Sequence, residues 1–330
     1  MPLNKNIKII LNYLLGPLVF IFLFYSIYQQ INKQQHWKES FDQIKSGVTG
    51  AEHWRIWVVV LLMLINWGLE ARKWQLSLTD LQRLSFFKAY KAILAGVTIA
   101  SFTPNRIGEY LGRLLYIEEG KRAQSVPLTI VCSIAQLFVT VLAGICGIFY
   151  MLRNINMQRL PGQRALQFGL HTLLIGSIFV MLILALLYFR VGTLVRLFEK
   201  TTLARYLQPV KILKEIKIPV LLSILFLSFG RYLVFILQYY LLFSAFGVAL
   251  TWSQTFGGIS VMFLVMTAIP TFTFLTDLGL RWEASIQIIQ IFTSDTTGIF
   301  AVSVGIWLIN LLIPALLGSL LFLRIKLFSR

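Results

Sequence analysis

Charged residues are scarce in this chain of 330 residues. Only 13% of the residues are charged, against about 25% in an ordinary soluble domain. In contrast, 57% are hydrophobic and the mean hydropathy is +0.76. Such a chain cannot bury its apolar side chains in one water-soluble core. The composition therefore predicts an all-α polytopic membrane protein.

Cysteine and histidine are too few and too dispersed to build a metal or disulfide site. Cys132 and Cys146 would lie about 21 Å apart on one helix, at 1.5 Å per residue, which is too far to pair. His36, His53 and His171 lack the spacing of metal ligands. The sequence also lacks a GxxxxGK[ST] loop, so we expect no metal, no cofactor and no built-in ATP-driven motor.

Acidic residues are the scarcer charge, since 13 Asp and Glu stand against 30 Lys and Arg and the net charge is +17. In a soluble protein this excess would favour nucleic acid. In a membrane chain it sits in short loops, where it sets the orientation and attracts anionic headgroups. We therefore expect a membrane lipid, and no nucleic acid, as the partner.

Six stretches are long enough to cross a bilayer, which takes about 20 apolar residues. They are residues 9–28, 54–71, 126–151, 167–189, 218–246 and 298–323. No small-x-small cleavage site follows the first stretch, so we interpret it as a retained helix rather than a secretory signal. Cytoplasmic N- and C-termini place most Lys and Arg residues in cytoplasmic segments, as the positive-inside rule requires.

Two further apolar stretches are predicted to be re-entrant hairpins, which enter the membrane and return to the same side. Residues 92–105 are too short to cross and are broken by Pro104, and residues 255–276 contain Pro270. The amphipathic segments that follow them are residues 107–117 and 278–292. A full span at 255–276 is the alternative, and it would move the basic C-terminus outside.

The order of these segments predicts a single membrane domain, residues 1–330, made of two inverted halves. Residues 1–166 and 167–330 each contain span, span, hairpin and span, and three crossings per half reverse the orientation of the second. Residues 193–217 join the halves and mix basic residues with leucines. They fit a cytoplasmic amphipathic helix as well as a solvated basic loop.

The first hairpin carries three charged side chains at helical spacing. Arg106, Glu109 and Arg113 would share one helix face, and Glu109 leaves one net positive charge for an anion such as phosphate. Pro104 stops the preceding helix and Gly108 allows a tight turn. We interpret the three as substrate-binding residues. The alternative is that they mark only the interfacial boundary of a loop.

The second hairpin repeats this chemistry. Asp277 and Arg281 can pair at i,i+4, and Glu283 follows, so all three are candidates for substrate binding. Pro270 and Gly279 are the predicted hairpin breakers. A polar surface loop is the alternative.

Arg231 and Glu70 are charged residues that lie within predicted spans. Arg231 lies mid-span, where an arginine costs roughly 2.5–3.5 kcal/mol on insertion scales, so it is predicted to face a wet cavity or a partner. If it lies nearer an interface, it snorkels instead. Glu70 closes the second span, and we interpret it as an interfacial partner of Arg72 or Lys73.

Residues 103–109, 278–283 and 72–74 read TPNRIGE, LGLRWE and RKW. They resemble the PGRxGE, GGLGxRE and RW motifs of the lysylphosphatidylglycerol synthase transmembrane-region family, whose members are also called flippase-like. The departures are Asn105 for the usual Gly, Thr276-Asp277 for Gly-Gly, and Trp282 between Arg281 and Glu283.

The resemblance implies a non-catalytic domain that moves a charged lipid between the leaflets of a bacterial cytoplasmic membrane. An aminoacylated phosphatidylglycerol, another anionic phospholipid and a polyprenyl phosphate all remain open as substrates. The sequence ends directly after the last predicted span, so we expect a separate enzyme to modify any aminoacylated lipid. The pattern is compatible with a homo-oligomer.

Two other functions remain open. An integral-membrane glycosyltransferase with a polyprenyl-phosphate donor would need an acidic base in an outer loop, where Glu39 and Asp42 lie. A scaffold for a lipid-synthesis enzyme would need no substrate site at all.

Overall fold

The computed structural model describes residues 45, 49–50, 52–101, 103–155, 163–198, 208–269 and 274–322. These ranges are helical, with short turns and no strand. The helices are α1 (His53–Ser77), α2 (Phe86–Ala100), α3 (Gly108–Leu114), α4 (Arg122–Asn154), α5 (Gln163–Phe189), α6 (Val191–Phe198), α7 (Ile218–Ala245), α8 (Trp252–Ala268), α9 (Phe274–Ile289), α10 (Thr296–Trp307) and α11 (Ile313–Phe322).

Five helical stretches in the described ranges are long and apolar enough to cross a membrane. They are His53–Ser77, Glu119–Asn154, Arg164–Phe189, Ile218–Ala245 and Thr296–Leu321. They coincide with five of the six predicted spans, and the predicted span 9–28 lies outside the described residues. On α5, large apolar side chains such as Phe168, Phe179 and Leu186 are exposed, as expected for a helix surface that faces lipid.

The first predicted hairpin is a pair of helices that fold back on each other. Pro104 opens a 3₁₀ turn, and Asn105 and Arg106 adopt left-handed backbone conformations with φ of 49° and 58°. Gly108 then starts α3, and a Cβ atom there would lie 2.5 Å from the carbonyl carbon of Ile99. A Cβ at Gly112 would likewise meet the backbone of Gly96. These glycines let α2 and α3 pack backbone against backbone, as small residues do between membrane helices.

The second predicted hairpin consists of α8 and α9. α8 begins with a capping box, in which the Thr251 hydroxyl accepts from the Gln254 amide and the Gln254 side chain accepts from the Thr251 amide. Pro270 lies outside the described residues. Gly279, the other predicted hairpin breaker, lies inside α9 and does not end it. One glycine costs a helix only about 1 kcal/mol, which the rest of α9 outweighs.

The predicted amphipathic segment 193–217 is described in two parts, α6 and a run of 3₁₀ turns at Gln208–Lys214. Val195 and Leu213 are buried, whereas Arg196 is exposed. The described parts therefore dock on the bundle through apolar side chains, as an amphipathic segment does and a fully solvated loop does not.

The helices before and after residue 166 interlock. α1 packs along α7, α2 packs against α11, and α8 packs against α4. Each hairpin thus lies against the last span of the other half of the chain. A π-helical turn, Leu308–Leu312, separates α10 from α11 and contacts α1, where the Asn66 amide donates to Asn310 Oδ1 at 3.3 Å.

Candidate functional site

A buried carboxylate in α1 gathers cations from three helices. One oxygen of Glu70 lies 2.7 Å from Lys73 Nζ and 2.8 Å from Arg231 Nη1, and the other lies 3.0 Å from Arg113 Nη2. The side chain of Glu70 is only 5% exposed. Glu70 therefore ties α3 and α7 to α1.

Arg231, the predicted mid-span cation, is held from several sides. Its Nε donates to Asn66 Oδ1 at 2.8 Å, in addition to the ion pair with Glu70. Its guanidinium carbon also lies 5.0 Å from the centre of the Trp67 ring, within the range of a cation–π contact. The sequence left three possibilities for Arg231, namely a partner, a wet cavity or snorkelling. The structure shows that Arg231 has partners.

The charged triad of the first hairpin is paired as its spacing predicts. Glu109 Oε1 accepts from Arg106 at 2.6 and 2.8 Å, and Glu109 Oε2 accepts from Arg113 Nη2 at 3.2 Å. Burial raises the pKa of Glu109, but the charges of Arg106 and Arg113 outweigh it and hold this pKa below its ordinary value. Glu109 therefore stays ionised and orders both arginines.

These contacts join six side chains into one network, which we name the Glu70 cluster. Its members are Glu70, Lys73, Arg106, Glu109, Arg113 and Arg231. Four cations and two carboxylates leave the cluster positive. Nε and Nη1 of Arg113 are buried and have no hydrogen-bond partner among the described residues. The cluster therefore retains both positive charge and unused donors.

The second hairpin places a smaller polar group on α9. Arg281 Nη2 donates to Asp277 Oδ2 at 3.2 Å, which is the predicted pair, and Arg281 Nη1 donates to the hydroxyl of Tyr239 on α7 at 3.0 Å. Glu283 is exposed and accepts from Gln287 at 2.9 Å. Two residues correspond to about 200° around a helix, so Glu283 lies on a different face of α9 from Arg281. The structure does not bring it to the other candidates.

A cavity of about 430 Å³ lies between the two hairpins. Among the described residues, its lining includes Asn105, Arg106, Met266, Thr267, Ala268, Ile269 and Asp277. Arg106 and Asp277 thus place a cation and a carboxylate on the same cavity, which has the volume of a small-molecule site. The side chain of Arg106 is 37% exposed, so the cluster reaches the cavity through this residue.

Sequence reasoning missed the central position of Glu70. Lys73 is its partner, as one interpretation held, but Arg72 instead donates to Gln75 at 2.7 Å. The spacing of Asn66, Glu70 and Lys73 was a usable signal, because i, i+4 and i+7 place all three on one helix face. Tyr239 carries no charge and gave no signal.

Candidate metal ligands and thiols are dispersed in the described ranges. No three His, Cys, Asp or Glu side chains there are grouped as a metal site requires. Cys132 is buried and Cys146 is exposed, and both are free thiols.

No curated protein and no solved structure matches the chain. The family model described as lysylphosphatidylglycerol synthase TM region matches residues 9–318. The match covers all three motifs, the Glu70 cluster and both hairpins. The chain therefore belongs to the lysylphosphatidylglycerol synthase transmembrane-region family and is a multi-pass membrane protein.

Proposed function

We propose that this protein moves a phosphate-bearing membrane lipid between leaflets, with the headgroup held between the two hairpins. The observation that carries the proposal is the cavity lined by Arg106 from the first hairpin and Asp277 from the second. In a membrane, polar groups converging on a cavity normally mark a substrate path.

The charges around the cavity favour a lipid phosphate as the group that is bound. A guanidinium fork suits phosphate oxygens, and Arg106 is backed by a network with more cations than carboxylates. Asp277 on the opposite hairpin is suited to an ammonium group. The substrates supported are therefore an anionic phospholipid, an aminoacylated phospholipid or a polyprenyl phosphate.

The arrangement of the hairpins supports a route for the headgroup. α2 has 15 residues and α8 has 17, or about 23 and 26 Å, which is shorter than the hydrocarbon core of about 30 Å. We interpret both pairs as re-entrant, one from each face, within inverted halves 1–166 and 167–330. The exchange of packing partners, α2 on α11 and α8 on α4, supports this symmetry. Rocking between the halves would expose the cavity to each face in turn, while the acyl tails stay in lipid.

The setting that fits this function is the cytoplasmic membrane of a bacterium, with both termini on the cytoplasmic side. The family and the distribution of basic residues support this placement. A separate enzyme would supply the lipid if its headgroup is aminoacylated.

Lipid retention tests the site directly. The protein is purified in mild detergent, and bound lipids are identified by native mass spectrometry for wild type, Arg106→Ala and Arg83→Ala. Arg83 is an exposed arginine outside the Glu70 cluster and serves as the matched control. We expect Arg106→Ala to retain about tenfold less of one phosphate-bearing lipid, the size expected for losing a hydrogen bond from a charged donor. Arg83→Ala should retain as much as wild type.

Movement of the identified lipid is then measured in proteoliposomes, with a fluorescent analogue and a membrane-impermeant quencher. Equal lipid retention in all three proteins would mean that Arg106 contributes only to the membrane orientation of the chain. Retention without movement would favour the scaffold. Sugar transfer that is lost in Asp42→Asn would favour the glycosyltransferase, whose candidate acids lie outside the described residues.

A further inference from the structure

The two hairpins carry the same arginine–carboxylate element. On α3, Arg113 pairs with Glu109 four residues before it, and on α9, Arg281 pairs with Asp277 four residues before it. Each arginine lies on the second arm of its hairpin and is almost fully buried. The same local unit therefore occurs once in each half of the chain.

Each arginine also reaches the long helix that precedes its own hairpin. Arg113 donates to Glu70 on α1, and the two residues are 43 positions apart. Arg281 donates to Tyr239 on α7, and these two are 42 positions apart. The two arginines are thus also equivalent in contacting the long helix before their hairpin, and the two sequence separations differ by one residue.

The two partners differ in charge. Glu70 is a carboxylate that also binds Lys73 and Arg231, whereas Tyr239 is a neutral phenol surrounded by Phe243 and Phe263. Nε of Arg281 is buried without a hydrogen-bond partner among the described residues. The phenol and Asp277 are therefore the contacts that fix this guanidinium, and Asp277 is the member of the group that lines the cavity.

We infer that Tyr239 is the second-half counterpart of Glu70 and the positioning residue for Arg281. Its hydroxyl holds Nη1 of Arg281, which leaves Nη2 to hold Asp277 at the cavity. Because the phenol is neutral, Asp277 is the carboxylate that balances the charge of Arg281. The equivalent pair, Arg113 and Glu109, instead belongs to the positively charged Glu70 cluster. The inference rests on the proposed function for its effect on lipid, but the placement of Arg281 can be tested separately.

Tyr239→Phe tests the inference because it keeps the ring and removes the hydroxyl. The matched control is Tyr232→Phe, since Tyr232 is another buried tyrosine of α7, whose hydroxyl donates to Ser260 at 2.7 Å. The position of Arg281 is read out by its rate of modification with phenylglyoxal, quantified by peptide mass spectrometry. We expect Arg281 to react severalfold faster in Tyr239→Phe than in wild type or Tyr232→Phe. An unchanged rate in Tyr239→Phe would overturn the inference, whatever the lipid result.

Lipid retention supplies the functional readout, with Arg281→Lys and the double variant included. We expect Tyr239→Phe to lose about tenfold in retention, as for a hydrogen bond to a charged group. The double variant should be no weaker than Arg281→Lys alone, because the phenol acts through the arginine. Full retention in Tyr239→Phe beside loss in Arg281→Lys would contradict the positioning role. Absence of bound lipid in wild type would instead count against the proposed function and leave the labelling result to decide on Tyr239.

Discussion

At the scale of single residues, the stability of the bundle depends on where one carboxylate lies. Glu70 is the counter-charge for Lys73, Arg113 and Arg231, and these cations come from both halves of the chain. Taking a charge out of water costs several kcal/mol, and only close opposite charges and hydrogen bonds repay that cost. Glu70 thus offsets the cost of burying three cations at the candidate site.

Glu70→Gln removes this charge and keeps the size of the side chain. We expect the free energy of unfolding to fall by about 3–5 kcal/mol, because buried cations are left without a counter-charge. Unfolding in detergent, followed by circular dichroism, measures the change. The control is Glu118→Gln, since Glu118 pairs with Lys121 but its side chain is 61% exposed; this variant should differ from wild type by less than about 1 kcal/mol. Equal effects of both variants would contradict the central role of Glu70.

At the scale of elements, two hairpins that share an arginine–carboxylate pair place their glycines differently. The first depends on glycines that let two backbones touch, whereas α9 carries Gly279, whose potential Cβ has no described atom within 4 Å. The same residue type is therefore required at one place and dispensable at the other.

Gly112→Ala and Gly279→Ala separate these two roles. We expect Gly112→Ala to destabilise the protein by about 1–3 kcal/mol, because its Cβ would collide with the backbone of Gly96 and force α3 away from α2. Gly279→Ala should be neutral or stabilising by up to about 1 kcal/mol, since alanine favours an open helical position. Thermal unfolding midpoints of both variants measure the difference. A destabilised Gly279→Ala would show that α9 needs a glycine there after all.

At the scale of the whole molecule, the hairpins determine how the chain crosses the membrane. If both are re-entrant, the two ends of each hairpin lie on one face, and the faces differ between the hairpins. Lys88 and Glu118 flank the first, Ser253 and Ser294 flank the second, and all four are exposed.

Single cysteines at these four positions test the topology in a background without Cys132 and Cys146. We expect a membrane-impermeant thiol reagent to label positions 88 and 118 only from the cytoplasmic face. Positions 253 and 294 should be labelled only from the outer face. Labelling of 88 and 118 from opposite faces would make the first hairpin a full crossing, and the same holds for 253 and 294.

The sequence predicts the fold well where a pattern is local. Apolar length located five helices that the structure describes, and Pro104 and Gly108 marked the turn of the first hairpin. The i,i+3 and i,i+4 pairs around Glu109 and Asp277 followed from helical spacing alone. Asn105 departs from the glycine of the family motif, and its φ of 49° gives the reason why glycine suits that position.

The parts that sequence reasoning missed are contacts between helices. Glu70 and Arg231 are 161 residues apart, and no spacing rule joins them before α1 is known to pack along α7. The separation of Glu283 from the other candidates was missed for a related reason, because membership of a charged motif does not say which face of α9 a side chain occupies.

The last span contacts both hairpins, since α10 packs on α9 and α11 packs on α2. A helix is a screw with 3.6 residues per turn, so the residue that a π-turn adds at Leu308–Leu312 rotates everything after it by about 100°. Beyond this turn, the hydroxyl of Thr98 on α2 donates to the Ala315 carbonyl at 2.8 Å. The two parts of the last span are therefore rotated relative to each other. Adding or deleting one residue in this turn would rotate α11 relative to α10. It would therefore disturb the packing of α2 on α11 and leave the packing of α9 on α10 in place.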